Sequence, residues 1–366
     1  MKLIFKKEEL SKILGVIEKA LPVRSPVPIV NNIYFHCQEE EVFFSATNLE
    51  LEIRYTLPYE SKHNFKLLLP PKLVEVIRYL PAQDVEISYD LERYRIDIAC
   101  GPANYHLYGA DPAEYPLTEH VTVEHSYTTI NQAQLKQALR QVVFASSNEE
   151  GRPVFTGLLF SFEQQGITIT ASDTYRLAIS SLTAPSSSDP QQLLIPARSI
   201  QELIKVLNDD DQPVTIGFQE NQVVFKFEGI TFITKVLDER FPDISGIIPT
   251  NYRTRVKLPR QTLEETVTRA SLLSEGVNKA ICLSLEGSNL KVKGSSEIGE
   301  MEESFTVQSE GEEFEIYVNS RFLMDMIKSV DCEQLSTEIN GKNGPIIFRP
   351  VEDVHYLYLV LPIKMD

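Results

Sequence analysis

The chain has 366 residues and a formal net charge of −17. That length exceeds one ordinary core and calls for two or three domains of roughly 100–150 residues each, while 42% hydrophobic and 24% charged residues exclude a disordered, collagenous or membrane-spanning chain. Taken as a whole the acidic balance opposes a nucleic-acid partner, because phosphates need a basic footprint.

The opening MKLIFKKEEL is charged where a secretion signal would be apolar, and no run of 18 apolar residues follows. The expectation is a cytoplasmic protein with no membrane contact. Cys37, Cys100, Cys282 and Cys332 lie far apart with no C-x-x-C, which predicts buried free thiols.

Helical periodicity appears first at Leu10, Ile13, Leu14 and Ile17, spaced i, i+3, i+4, i+7. The same spacing returns at Leu135, Ala138, Leu139 and Val142, and again at Leu263, Thr266, Val267 and Ala270. About 60 residues after each comes an aliphatic strand, a turn and a short helix: LLLPPKLVEVIRYL, LLIPARSIQELIKVL and IYVNSRFLMDMIKSV. Arg198 matches Arg321 and Glu202 matches Asp325 without a gap; Lys72 meets Arg198 across a one-residue slip. Between the helices run strands of period two, clearest at 49–55 and 223–228. Three copies of one pattern, each with two helices and about eight strands, predict an α+β fold of three tandem domains, 1–123, 124–251 and 252–366.

On these residues the chain resembles the bacterial DNA sliding clamps, the beta subunits of DNA polymerase III. The resemblance rests on Pro28-Ile29 with Asn32, ASDTYRLAIS at 171–180, LLIPARSIQELIKVL at 193–207, FITKVLDERFPDISGIIP at 232–249 and the ending YLVLPIKMD. It implies a head-to-tail homodimer closed into a six-domain ring, with twelve helices lining a hole for duplex DNA. Helices packed about 10 Å apart place twelve on a circle of roughly 120 Å with a hole of about 28 Å, and six would leave only about 9 Å. A duplex about 20 Å across fits the first and not the second.

Charge distribution answers the objection from composition. The six helical stretches, 6–20, 71–80, 131–145, 198–207, 259–273 and 320–330, carry a net +6, which leaves −23 for the remainder; such a pattern would admit DNA to the helices and repel it elsewhere. The resemblance assigns sequence-independent DNA contacts to Arg24, Lys72, Asn148, Arg152 and Arg198, with Arg321, Lys12, Lys136, Arg140 and Arg269 as weaker candidates. It assigns the dimer interface to Tyr105 and Leu107 facing Leu272 and Leu273.

A partner-peptide cleft is implied at Phe155, Ser172, Thr174, Tyr175, Arg176, Leu177, Pro242, Ile247, Leu359, Val360, Leu361 and Pro362. Leu177 and Leu361 would line its hydrophobic subsite, and Arg176 would position polar groups. The implied partners are the clamp loader complex, the replicative polymerase alpha subunit, and other polymerases and repair proteins carrying clamp-binding peptides. Thr174-Tyr175 stand where many members have Gly-His, Gly246 stands where Arg is common, and the tail extends to Met365-Asp366.

No Walker A loop, H-E-x-x-H or G-x-S-x-G is present, so a non-catalytic protein without cofactor or metal is expected. His120 and His125, five apart in a linker, read as surface residues, and Asp209-Asp210-Asp211 as an acidic turn rather than a cation site. A clamp paralogue serving as a drug-tolerant or dedicated scaffold is the alternative reading.

Overall fold

The computed structural model describes residues 2–118, 125–149, 151–184, 190–219, 221–276 and 278–364, with no side-chain detail at 125–127 and 219. His120 and the Met365-Asp366 tail lie outside the described residues, as does the side chain of His125. Six α-helices are described: α1 (Lys7–Ile17), α2 (Lys72–Tyr79), α3 (Gln132–Val143), α4 (Ala197–Val206), α5 (Arg260–Ser271) and α6 (Ser320–Ser329). Each of the three anticipated helical faces is buried: Leu10, Ile13, Leu14 and Ile17 on α1, Leu135, Ala138, Leu139 and Val142 on α3, Leu263, Thr266, Val267 and Ala270 on α5. Each Leu, Ile or Val among them stabilises the fold by roughly 1.5–3 kcal/mol.

The chain forms two compact units, residues 1–133 with 201–236, and residues 134–200 with 237–366. In the first, a four-stranded antiparallel sheet has the order Lys2–Lys6, Asp84–Asp90, Arg95–Cys100, Ala103–Tyr108. Its larger sheet has eight strands, in which Phe65–Leu69, Ile33–Cys37, Glu41–Thr47 and Leu51–Pro58 from the first repeat continue into Ile230–Lys235, Gln222–Phe227, Pro213–Gln219 and His125–Asn131 from the second. The join is the antiparallel pair of Leu51–Pro58 with Ile230–Lys235, in register Phe232↔Ile53.

The second unit repeats this construction. A nine-stranded sheet runs Gln191–Pro196, Gly157–Glu163, Gly166–Ser172, Arg176–Thr183 from the second repeat into Tyr356–Val360, Ile346–Pro350, Gln334–Ile339, Thr254–Pro259 and Gln308–Gly311 from the third. Here the join pairs Arg176–Thr183 with Tyr356–Val360, Leu177 opposite Leu359. A four-stranded sheet of Gly299–Thr306, Asn289–Ser296, Ala280–Glu286 and Phe314–Asn319 completes the unit.

The second repeat is therefore divided, half of its strands extending a sheet of each neighbour. Sequence periodicity sees each repeat as a unit, because it reports local pattern and not which sheet edge a strand joins. Asn319 caps α6 by accepting from the Arg321 and Phe322 amides at 2.9 and 3.3 Å. The Asp209–Asp211 turn is structural, since Asp210 accepts from the Gln132 side chain at 3.2 Å and the Gln212 amide at 3.1 Å. The four cysteines are free thiols, and Cys332 is half-buried rather than buried.

Candidate functional site

Ser172 to Leu177 form a tight turn between two strands of the nine-stranded sheet. Asp173 Oδ1 accepts from the Tyr175 and Arg176 amides, both at 3.0 Å, and Ser172 Oγ donates to the Arg176 carbonyl at 2.8 Å. These bonds hold Thr174 at φ 79, a left-handed conformation that costs a β-branched residue energy and glycine none. The Leu361 amide then donates to the Tyr175 carbonyl at 2.9 Å and fixes the last strand beside the turn.

Around the turn lies a cavity of about 170 Å³, lined by Phe155, Ser172, Thr174, Tyr175, Arg176, Leu177, Pro242, Ile244, Ile247, Leu359 and Leu361. Its floor is apolar: Leu177, Ile347 and Leu359 form a buried cluster against which Ile244 packs. Tyr175, Ile247 and Leu361 stand exposed at its rim, at 63%, 48% and 39%. Such exposure of large apolar groups around a dry floor suits the side-chain anchors of an extended peptide. Gly246, close in sequence to the lining residues Ile244 and Ile247, has open space where a Cβ would stand.

Two expected lining residues are corrected. Val360 is 1% exposed and outside the lining, because alternation along its strand sends Leu359 and Leu361 to the cleft and Val360 to the opposite face. Pro362 also lies outside it, as the chain turns away and the Ile363 amide donates to the Tyr317 carbonyl at 2.7 Å. Ile244 was missed, although its spacing of three from Ile247 in PDISGII marked it as a companion.

Arg176 lines the cleft with its stem, but its guanidinium is directed inward. Nε donates to Asp173 at 2.9 Å, one terminal nitrogen to Asp325 at 2.7 Å, and the other to the Phe144 carbonyl at 2.7 Å. The ring of Phe322 lies 4.3 Å from the guanidinium carbon and that of Phe144 5.4 Å. Burial opposes the charge, yet Tyr358, Asp325 and Asp173 outweigh it and hold the pKa above the usual arginine value. The side chain ties Arg176–Thr183 to α6 and to the end of α3; its polar groups are not offered to a ligand, contrary to the role expected from sequence.

The expected DNA contacts are all at the surface. Arg24, Lys72, Asn148, Arg152 and Arg198 are exposed, on the loop after α1, at the start of α2, in the loop after α3 (Asn148 and Arg152), and on α4. Lys72 is paired with Glu75. Arg24 and Arg152 carry no ion pair among the described residues. One weaker candidate is corrected: Lys136 is 7% exposed, on the buried face of α3. Arg269 keeps a half-exposed side chain, paired with Glu303 at 2.6 and 2.7 Å.

Tyr105 (40% exposed) and half-buried Leu107 lie on Ala103–Tyr108, which has a neighbour on one side only in the described sheet. Leu272, at the end of α5, is 77% exposed and Leu273 half-buried, so neither is core. The two pairs belong to different units.

Domain models of the DNA polymerase III beta subunit match nearly the whole length: the N-terminal domain at residues 1–119, the central at 129–243 and the C-terminal at 245–364. The chain is 31% identical over 358 residues to the beta sliding clamp of Staphylococcus epidermidis, covering 94% of each chain, and 30% identical to that of Staphylococcus aureus with the same coverage. Among solved structures, the DNA polymerase sliding clamp of Bacillus subtilis superposes over 100% of both chains, with a TM-score of 0.94 and 29% identity. A clamp of Pseudomonas aeruginosa bound to griselimycin shares the fold, with a TM-score of 0.93 and 24% identity. Three domain matches in order, over three copies of one α+β pattern, lead to one conclusion: the chain belongs to the bacterial beta sliding clamps, the beta subunits of DNA polymerase III.

Proposed function

We propose that two copies of this chain close head to tail into a six-domain ring that encircles duplex DNA, slides on it, and tethers a polymerase through the 172–177 cleft. The supporting observation is a series in the sheets. The fourth strand of repeat one pairs with the last of repeat two, and the fourth of repeat two pairs with the last of repeat three. The next member would pair Gly299–Thr306, fourth in repeat three, with Ala103–Tyr108, last in repeat one; both are sheet edges in the described chain. A second copy satisfies both edges twice, which removes the hazard of unpaired strands. Leu107 stands 126 residues before Ile233, itself 126 before Leu359, the residues at the two existing joins. Tyr105 and Leu107 would thus meet Leu272 and Leu273 of the second copy.

Within their observed bounds the six helices carry a net +5 in a chain of −17. Few, diffuse cations suit a sliding protein, because each neutralised phosphate adds salt-dependent affinity without sequence preference. Arg24, Arg152, Arg198, Lys72 and Asn148 are the proposed contacts, and the proposed domain limits remain 1–123, 124–251 and 252–366. The protein would act in the cytoplasm without catalysis, its partners being the clamp loader complex, the polymerase alpha subunit, and other polymerases and repair proteins with clamp-binding peptides. No described helix is long and apolar enough to cross a membrane.

The test loads the protein with a clamp loader and ATP onto circular DNA, then linearises it. Retention on the circle and loss from the linear form are expected; equal loss from both would overturn topological binding.

A further inference from the structure

The first unit contains a second cleft built by the same means. Thr47–Glu52 lie 125 residues before Ser172–Leu177 and make the same turn. Thr47 Oγ1 donates to the Leu51 carbonyl at 2.8 Å, and Asn48 Oδ1 accepts from the Glu50 and Leu51 amides at 3.0 and 2.8 Å. Leu49 has φ 77 where Thr174 has 79. The Lys235 amide donates to the Glu50 carbonyl at 3.0 Å, as the Leu361 amide does to Tyr175. Pro116 and Thr118 cross this turn at the places of Pro242 and Ile244, 126 residues on. The resulting cavity, about 420 Å³, is larger than its counterpart.

Its chemistry is reversed at three positions. Glu52 stands for Leu177, Lys235 for Leu361 and Glu50 for Tyr175. Glu52 is 3% exposed and is kept in place by the Thr118 amide at 2.9 Å, Ser45 Oγ at 3.0 Å and Arg54 at 3.0 Å. Where Ile244 packs on the apolar cluster that contains Leu177, Thr118 is held here by a carboxylate on its backbone amide. Lys235 is exposed and has no ion pair among the described residues.

We infer that the 47–52 cleft is a divergent duplicate of the peptide cleft, and that Glu52 and Lys235, with Glu50 at the rim, restrict apolar peptide anchors to the 172–177 cleft. An aliphatic or aromatic side chain entering the first cleft would strip water from an ammonium and lie on a carboxylate already committed to Arg54, with no hydrogen bond gained in return. In the second cleft the same anchor meets Leu177, Leu359 and Leu361 and displaces only apolar hydration. The inference rests on the reading of the 172–177 cleft as the peptide site.

Calorimetric titration of the full chain with a synthetic hexapeptide carrying Leu and Phe anchors tests it. The unaltered chain should bind one peptide per chain, and Glu50→Tyr/Glu52→Leu/Lys235→Leu should bind two. The reciprocal Leu177→Glu/Leu361→Lys should lose binding at least tenfold with the circular-dichroism melt of a folded chain. Should the triple variant fail to fold, Glu50→Tyr/Lys235→Leu, at exposed positions, replaces it and should show a second site weaker than the first, because Glu52 remains. Two peptides on the unaltered chain, or one on a folded first-cleft variant, overturns the inference alone, as does full binding by the reciprocal variant. No binding by the unaltered chain overturns the peptide-cleft reading and this inference with it.

Discussion

Replacing Arg176 with Ala separates a strut from a reader of ligand. The substitution removes two ion pairs, a charged hydrogen bond to a carbonyl and two ring contacts in one step. Removing one partner of a buried pair costs about 3–5 kcal/mol, because the other charge stays behind unpaired. Arg176 is 8% exposed and Asp173 13%, but Asp325 is 31% exposed and regains some water. The expected loss is therefore near the lower end, about 3 kcal/mol. A chain of two compact units need not unfold in one step, so hydrogen exchange is the better assay. Amides of Arg176–Thr183 and α6 should lose protection by about a hundredfold or more, while those of Leu51–Pro58 in the other unit stay unchanged. Arg176→Lys keeps the charge without the planar fork and should recover less than half of the loss. Unchanged protection with abolished peptide binding would refute the reasoning, and would return to the guanidinium the polar, ligand-positioning role that the sequence suggested.

Thr174→Gly should raise stability of the second unit by about 0.5–1 kcal/mol, the relief at positive φ outweighing the greater freedom of glycine in the unfolded chain; thermal melting checks it, and a lower midpoint counts against the strain. His36 is held below its ordinary pKa of 6.5 by burial, which Asn64 and Glu41 oppose and Lys66 and Arg54 reinforce to lesser degrees. A histidine with a depressed folded pKa favours unfolding as it protonates. Stability of the first unit should then be complete above pH 6.5 and decline as pH falls through 6.5 toward the folded value, and His36→Gln should flatten that limb of a pH-melt series. Leu272→Asp removes one exposed anchor from each of the two interfaces of the proposed ring, worth roughly 1.5–3 kcal/mol apiece when buried, so the dimer dissociation constant should rise roughly a hundred- to ten-thousandfold; an unchanged dissociation constant in analytical ultracentrifugation would exclude Leu272 from the contact.

The sequence by itself determined what is periodic and local. Helices expected at 71–80, 131–145, 198–207, 259–273 and 320–330 are found within two residues of those limits, and that at 6–20 is α1 followed by a 3-10 turn, Glu18–Ala20. Apolar spacing reports the buried face of a helix directly. The turn at Ser172–Leu177 and most of the cleft were legible through the family resemblance, since those residues are contiguous and chemically distinctive.

Tertiary structure alone decided three things. It sent the strands of the middle repeat to two different sheets, because backbone pairing at a sheet edge leaves no mark in side-chain pattern. It turned Lys136 and the Arg176 guanidinium inward, because a charged residue is assigned to the surface by type until its partners are known. And it placed Glu52 and Lys235 where Leu177 and Leu361 stand in the other unit: the repeat spacing relates the two turns, but only the shared hydrogen bonds show that a charged cavity and an apolar one are the same construction.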